Sequence, residues 1–367
     1  MSRASSTSSL SPLLSLGWDA TWEESFAPHR DAGLLPGRVI TTTRESLRVG
    51  TAAGEREALV PGRLIYRAES ADAHPCVGDW LALRPIESGE GQQPLLVEAV
   101  LPRRSAFVRR AAGRRTEPQA LAANVDLALL VSALDGDWSS RRLERWLALA
   151  TEAEVPPVVV LTKADLCNDP AVVVRAAAAV AAGVPVHAVD ALGGAGVETL
   201  RPYLRPGITV VLLGSSGVGK STLVNQLAGR EVVPTAAAAA DGRGRHTTTR
   251  RELLPLPGGA LLLDTPGLRE VGLWLGDEVL EGLFPEVAAL AARCRFRDCA
   301  HDGEPGCAVH AAVAAGELDP ARLASLHQLG AERAALRRRT DERAARAEKQ
   351  RIKALCRAAD RYKPRQL

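Results

Sequence analysis

The 367-residue sequence has no apolar run near the roughly 18 residues needed to cross a bilayer. Its start lacks the marks of an export signal. Leu10, Leu13, Leu14 and Leu16 lie among Ser and Pro, with no basic start and no sustained apolar stretch. Cysteine is too sparse and scattered for a secreted disulfide framework. Cys76, Cys167 and Cys356 stand alone, and only Cys294, Cys299 and Cys307 cluster. A soluble, cytoplasmic protein with no membrane partner is expected. There is also little net charge, only +3.

That small charge is unevenly placed. Residues 103–115 hold six Arg and no acid, and residues 331–367 hold thirteen Lys or Arg against five acids. Basic stretches in a near-neutral chain suit an anionic surface such as RNA, although solvated helix faces read the same way. The length exceeds one ordinary core, so two or three domains are expected.

The chain divides into four parts. Residues 1–36 are Ser-rich, then mixed, and read as a flexible tail. Residues 37–116 show short β-type segments (Arg38–Thr43, Arg63–Arg67, Asp79–Arg84, Pro94–Val100) between Gly and Pro turns. Such spacing predicts a small β-barrel; the pattern alone leaves open an OB-fold or another small barrel. Residues 117–275 alternate apolar strands with helices: Val125–Leu134, Ser140–Glu154, Pro157–Leu161, Val172–Ala182, Val184–Val189, Thr209–Leu213 and Ala260–Leu263. This predicts an α/β domain with a parallel sheet covered on both faces. Residues 276–367 carry a Cys/His cluster and then helix, ending in a long Arg/Ala-rich helix from Asp319 to about Tyr362. Ala236–Ala240, before a Gly- and Arg-rich stretch, reads as a mobile loop or as a helix end with a Gly stop.

Gly214-Ser215-Ser216-Gly217-Val218-Gly219-Lys220-Ser221 fits G-x-x-x-x-G-K-[ST], with a strand before it and a helix from Thr222 after it. The glycines let the backbone wrap so that its N–H groups face phosphate oxygens, and the helix N-terminus adds its positive end. Lys220 is placed for the β- and γ-phosphates and Ser221 for Mg²⁺. Forty-four residues on, Asp264-Thr-Pro-Gly267 ends an apolar strand. Asp264 suits Mg²⁺, through water, and the Gly267 N–H suits the γ-phosphate.

Thr162-Lys163-Ala-Asp165 also follows an apolar strand and looks like the guanine-reading motif Asn-Lys-x-Asp, with Thr for Asn. A carboxylate at Asp165 accepts the paired donors of guanine, which adenine lacks. The Lys163 stem can lie along the base. The motif stands 55 residues before Lys220, whereas in most GTPases it follows the phosphate loop. Val189-Asp190-Ala191 is a loose companion, with Asp where Ser is usual. This order is what circular permutation produces.

With these motifs in this order, the chain from about Gly37 resembles the ribosome small-subunit-dependent GTPase A family. Gly244-Arg-His-Thr-Thr-Thr249 looks like that family's switch I, and Ala123-Asn-Val-Asp126 like its lead-in to the GTPase domain. The resemblance implies an OB-fold barrel, a permuted P-loop GTPase domain and a zinc-binding helical module. It implies GTP and GDP, Mg²⁺ and one structural Zn²⁺. It implies a small ribosomal subunit and its rRNA as partners, for a chain acting as a monomer in late subunit maturation. Arg103, Arg104, Arg109 and Arg110 are then expected to meet rRNA phosphate.

The residue after Gly267 is Leu268, where a water-orienting Gln is common, and leucine cannot hydrogen-bond water. His246 is the candidate for positioning the nucleophile, and Thr248, in preference to Thr247, for closing on Mg²⁺. A loop or RNA-facing role for His246 stays open. So does a nucleotide-gated RNA scaffold with negligible turnover. An ATPase is disfavoured by Asp165.

Cys294-x4-Cys299-x-His301-x5-Cys307 offers three thiolates and one imidazole, a set suited to tetrahedral, structural Zn²⁺. Pro305-Gly306 lets the chain turn back before Cys307, and His310 is a less favoured substitute ligand.

Overall fold

A computed structural model describes residues 12–43, 46–67, 71–86, 94–110, 118–135, 138–233, 251–264 and 277–335. Two compact units divide the chain between Gly272 and Leu273.

After a short helical segment over 12–15, the first unit has a helix, α1 (Ala20–Asp31), whose N-cap Asp19 accepts from the Trp22 N–H at 3.0 Å. Trp18, Trp22 and Phe26 are buried with Leu13 against Trp80. The flexible tail expected over 1–36 is therefore corrected for the described residues 12–36. Sparse aromatics there find a hydrophobic seat on the barrel, which outweighs the polar composition around them. Residues 1–11 lie outside the described residues.

The barrel comprises β1 (Leu35–Thr42), β2 (Leu47–Thr51), β3 (Gly54–Leu59), β4 (Trp80–Pro85) and β5 (Leu95–Val100). Its order β1-β2-β3-β5-β4 closes through pairing of β1 with β4. All neighbours are antiparallel except β3 and β5, and a short helix, α2 (Gly62–Arg67), lies between β3 and β4. This is the OB-fold topology. The strand expected at Arg63–Arg67 is corrected to helix: the turn at Pro61, whose carbonyl accepts from Leu64 N, starts a helical path despite Ile65 and Tyr66.

Next, β6 (Ala106–Arg110) and β7 (Pro118–Ala123) form an antiparallel hairpin, so the boundary expected at 116/117 falls between its strands. The nucleotide-type sheet follows. Its members are β8 (Leu127–Ala133), β9 (Pro157–Thr162), β10 (Val186–Ala188), β11 (Thr209–Leu213), β12 (Glu252–Pro255) and β13 (Leu261–Asp264). The order is β10-β9-β8-β11-β13-β12, parallel except for β12. Every residue of β8 is buried, which explains its unbroken apolar text. Helix α3 (Ser140–Glu152) buries Leu143, Trp146, Leu147 and Ala150, the face expected from their spacing. Helix α4 (Pro170–Val180) begins at N-cap Asp169 with Pro at its first turn. Helix α5 (Lys220–Ala228) follows β11.

Strand β12 pairs with β1 at Thr41 opposite Glu252, so barrel and sheet are continuous. Arg38, 2% exposed, reinforces this junction. Its guanidinium donates to Gly78 O (3.1 Å), Leu16 O (2.5 Å) and Asn124 O (3.0 Å), joining the N-terminal segment, barrel and sheet lead-in. Burial pulls its pKa down to about 10, which still leaves it charged at neutral pH.

The second unit contains α6 (Asp277–Leu283), α7 (Pro285–Ala291), α8 (Ala308–Ala314) and a further helix over 320–335. The long helix expected to Tyr362 lies outside the described residues beyond 335.

Candidate functional site

The phosphate loop runs from the end of β11 to the start of α5. A Cβ on Gly214 would lie 2.3 Å from the Val131 carbonyl oxygen of the neighbouring strand, so only glycine fits there. Gly219 takes φ +89°, a left-handed conformation that costs a side-chain-bearing residue energy. Gly219, the N-cap of α5, has no side chain of its own to occupy the helix's leading N–H groups. Ser215, Ser216, Gly217 and Val218 complete the loop, and Ser221 and Thr222 are half-buried in the first turn. The Lys220 ammonium folds back over the loop, donating to Gly214 O at 2.8 Å and to Ser215 O.

The guanine-type motif adjoins this loop. Parallel pairing puts β8 between β9 and β11, so Thr162 ends two strands over from the loop's base, with β8 between. Thr162 is fully buried. Its hydroxyl donates to Val218 O at 2.5 Å, with Ser132 O at 3.2 Å. Lys163 takes φ +57°, and its ammonium pairs with Asp135, just past the end of β8. Asp165 is exposed in the short 3-10 turn Ala164–Leu166. Asp190 lies beside the motif, since Ala164 N bonds Val189 O. Its carboxylate caps its own turn, accepting from Leu192 N (2.9 Å) and Gly193 N (2.8 Å).

Asp264 closes β13, parallel to β11, with Leu263 level with Val211. Its backbone thus stands at the strand end beside the loop. Gly267, Leu268, His246, Thr247, Thr248, Thr249 and the Ala236–Ala240 run lie outside the described residues. Asn225 on α5 was not singled out in the sequence. It accepts from Val232 N (2.9 Å) and Val233 N (3.0 Å) and donates to Val233 O (2.8 Å), fixing the chain just before residue 234. Asp135 was also missed; its signal is an acid just past a strand end, legible only with the strand register.

Two basic residues expected to face RNA are engaged within the fold. Arg103 donates twice to the fully buried carboxylate of Asp79, at 2.7 Å each. It also reaches the Asp72 carbonyl. Burial opposes its charge, but Asp79 overcomes that and raises its pKa further. Arg104 pairs with Asp19 at 2.6 and 2.7 Å and lies 4.2 Å from the Trp22 ring centroid. Both arginines meet acids that are remote in sequence and hold the fold. Arg109 is half-buried on β6.

In the second unit, one ligand atom each from Cys294, Cys299, His301 and Cys307 lie within 4.8 Å of one another. The Cys294 and Cys307 sulfurs are 3.9 Å apart and lie 3.7 and 3.5 Å from His301 Nδ1. A tetrahedral ion with bonds of about 2.3 Å to sulfur and 2.0–2.1 Å to nitrogen has edges of about 3.8 and 3.5 Å. The donor set therefore fits such a metal. Ala308 N and His310 N point at the Cys294 and Cys307 sulfurs, at 3.3 and 3.4 Å. His310 contributes this backbone contact and is not in the ligand cluster. Burial opposes ionisation of Cys294, but the backbone donors Ala308 and Val309 prevail and lower its pKa. Burial lowers the His301 pKa, favouring the neutral imidazole that binds metal. Glu304 accepts from Ala300 N (2.9 Å) and Asp302 N (2.8 Å), shaping the ligand loop.

Fold and site together define a P-loop nucleotide-binding protein of the GTPase type, with its motifs in permuted order. Residues 100–274 match the family model for the RsgA GTPase. A relative from Opitutus terrae, a "Small ribosomal subunit biogenesis GTPase RsgA", is 49% identical over 348 residues, covering 93% of this chain and 95% of its own. One of the same name from Streptomyces avermitilis is 47% identical, covering 92% and 90%. The crystal structure of YjeQ from Thermotoga maritima aligns with TM-score 0.61 at 26% identity, over 82% of this chain and 99% of that one. YloQ, described as a circularly permuted GTPase, shares the fold with TM-score 0.57 at 22% identity, over 82% and 96%. The chain belongs to the RsgA GTPase family.

Proposed function

We propose that this chain is a Mg²⁺-dependent GTPase that binds the small ribosomal subunit and couples GTP hydrolysis to late subunit maturation and to its own release. One observation supports the nucleotide reading: the Thr162 hydroxyl bonds Val218, 56 residues away, which sets the guanine-type motif beside the phosphate loop. The names of the full-length relatives support the subunit as partner.

Asp165 would accept from guanine N1–H and the 2-amino group, with the Lys163 stem along the base and Thr162 holding the motif. The N–H groups of Gly214, Ser215, Ser216, Gly217, Val218 and Gly219, with those of Lys220, Ser221 and Thr222, would cradle the phosphates. Lys220 would neutralise the β- and γ-phosphates. Ser221, Asp264 (through water) and Thr248 would hold Mg²⁺, which supplies further charge neutralisation there. The Gly267 N–H would meet the γ-phosphate. Because Leu268 cannot orient water, His246 takes that role. Hydrolysis joins a water oxygen to the γ-phosphorus and breaks its bond to the bridging oxygen, leaving GDP and phosphate.

Cys294, Cys299, His301 and Cys307 would hold one structural Zn²⁺. The segment after Asp264 leads directly into that module, so a change at the γ-phosphate can act on it without a separate linker. Barrel strands with Arg109 and Arg110 would meet rRNA. No described helix is long and apolar enough to cross a membrane; that the chain is cytoplasmic and monomeric is part of the proposal.

Phosphate release with and without small subunits is the deciding experiment, with stimulation expected. Absence of turnover in both arms would make the chain a nucleotide-gated RNA scaffold. GTP should outcompete ATP. In pelleting assays, small subunits should retain the chain with a non-hydrolysable GTP analogue and release it with GDP; equal binding in both would defeat the switch.

A further inference from the structure

Strands β8 and β9 pair through six register positions, Ala128 opposite Pro157 to Ala133 opposite Thr162. Leu134 N then bonds Thr162 O at 2.9 Å. Just beyond the ladder, Asp135, two residues past the end of β8, and Lys163, one past the end of β9, meet as an ion pair, with side chains 28% and 31% exposed. The ladder already fixes the two strands, so the pair adds little to their joining. What it restrains is the lysine. Lys163 sits in the left-handed region at φ +57°, an unfavourable state for a residue with a side chain and one found at ligand sites. Beyond that point its long stem has many rotamers, and Asp135 selects among them.

We propose that Asp135 is a positioning residue for guanine recognition. Its carboxylate holds the Lys163 ammonium so that the lysine stem forms a wall of the base slot before nucleotide arrives. Binding then loses less side-chain freedom, which is preorganisation. The inference rests on the proposed nucleotide reading of Thr162, Lys163 and Asp165. It assigns to a carboxylate outside every nucleotide motif a share of affinity for the purine base.

The test uses the full chain with D135N, D135E, K163A and the double variant D135N/K163A, titrated with a fluorescent GDP analogue. D135N should weaken GDP binding about three- to tenfold, the range for a partly withdrawn ion pair. It should raise the KM for GTP while kcat with small subunits changes less than about twofold. D135E should restore most of the affinity. In the K163A background, D135N should add no loss. The nucleotide-free Tm should stay at the wild-type value. Unchanged GDP affinity in D135N, beside a wild type that binds, overturns the role of Asp135 alone. So does an equal loss in the K163A background, or a Tm drop that tracks the affinity loss and is not rescued by Glu. A wild-type chain indifferent to guanine nucleotides overturns this inference and the site reading together.

Discussion

The Thr162 hydroxyl stands 2.5 Å from the Val218 carbonyl, so the turn after β9 and the phosphate loop after β11 are held by one short bond across β8. Thr162→Val preserves shape and removes the donor. It should cost about 1 kcal/mol and weaken GDP binding about fivefold, with Thr162→Ser recovering most of the loss. Equal GDP affinity in Thr162→Val and wild type, by fluorescence titration, would remove this bond from the site's assembly.

His246→Ala should depress subunit-stimulated phosphate release by about 10²-fold or more and leave GDP affinity nearly intact. Stimulated turnover at the wild-type rate would exclude His246 from water positioning.

Elemental analysis should find one zinc per chain. Cys299→Ser or a strong chelator should lower the helical circular dichroism contributed by the second unit, because a structural metal bound by the cluster would supply folding energy there. Less than about half a zinc per chain would count against the site.

Trp22 is 4% exposed and sits between Trp80 and the Arg104 guanidinium. Trp22→Ala should destabilise the first unit by about 3–5 kcal/mol in urea unfolding. A cost below about 1 kcal/mol would mean that the N-terminal segment is not part of the folded core.

Asp126 accepts from Thr209 N at 2.7 Å, at the start of the phosphate-loop strand. Burial raises its pKa above 3.8, against the opposing pulls of Thr209 and Arg38. The folded chain thus holds this proton more tightly than the unfolded chain does. Stability from this group is greatest below 3.8 and falls as pH rises through the folded value. Asp126→Asn keeps an acceptor for Thr209 and removes the charge. Its stability relative to wild type should rise across that window and then level off, whereas Asp126→Ala should cost about 1 kcal/mol. A pH-independent difference between Asp126→Asn and wild type would contradict the shifted carboxyl.

The parallel strands were legible because burial on both faces writes continuous apolar text, as in β8 and β9. The phosphate loop was legible because its backbone needs glycine at fixed offsets, and the metal ligands because thiolate and imidazole are its chemistry. Four-residue β12 was not, being too short for a pattern and fixed by its neighbours β13 and β1. The N-terminal helix was hidden because its partner Trp80 is remote, and the basic run misled because Asp79 and Asp19, which neutralise two of its arginines, lie far from it in sequence.

The sequence by itself determined the chemistry: which residues can cradle phosphate, read guanine or bind metal, since these depend on residue type and local spacing. Tertiary structure alone decided which charges are spent on the fold, how the barrel closes and joins the sheet, and that Asp135 grips Lys163. Those outcomes follow from strand register and burial, which bring together groups that no local pattern connects.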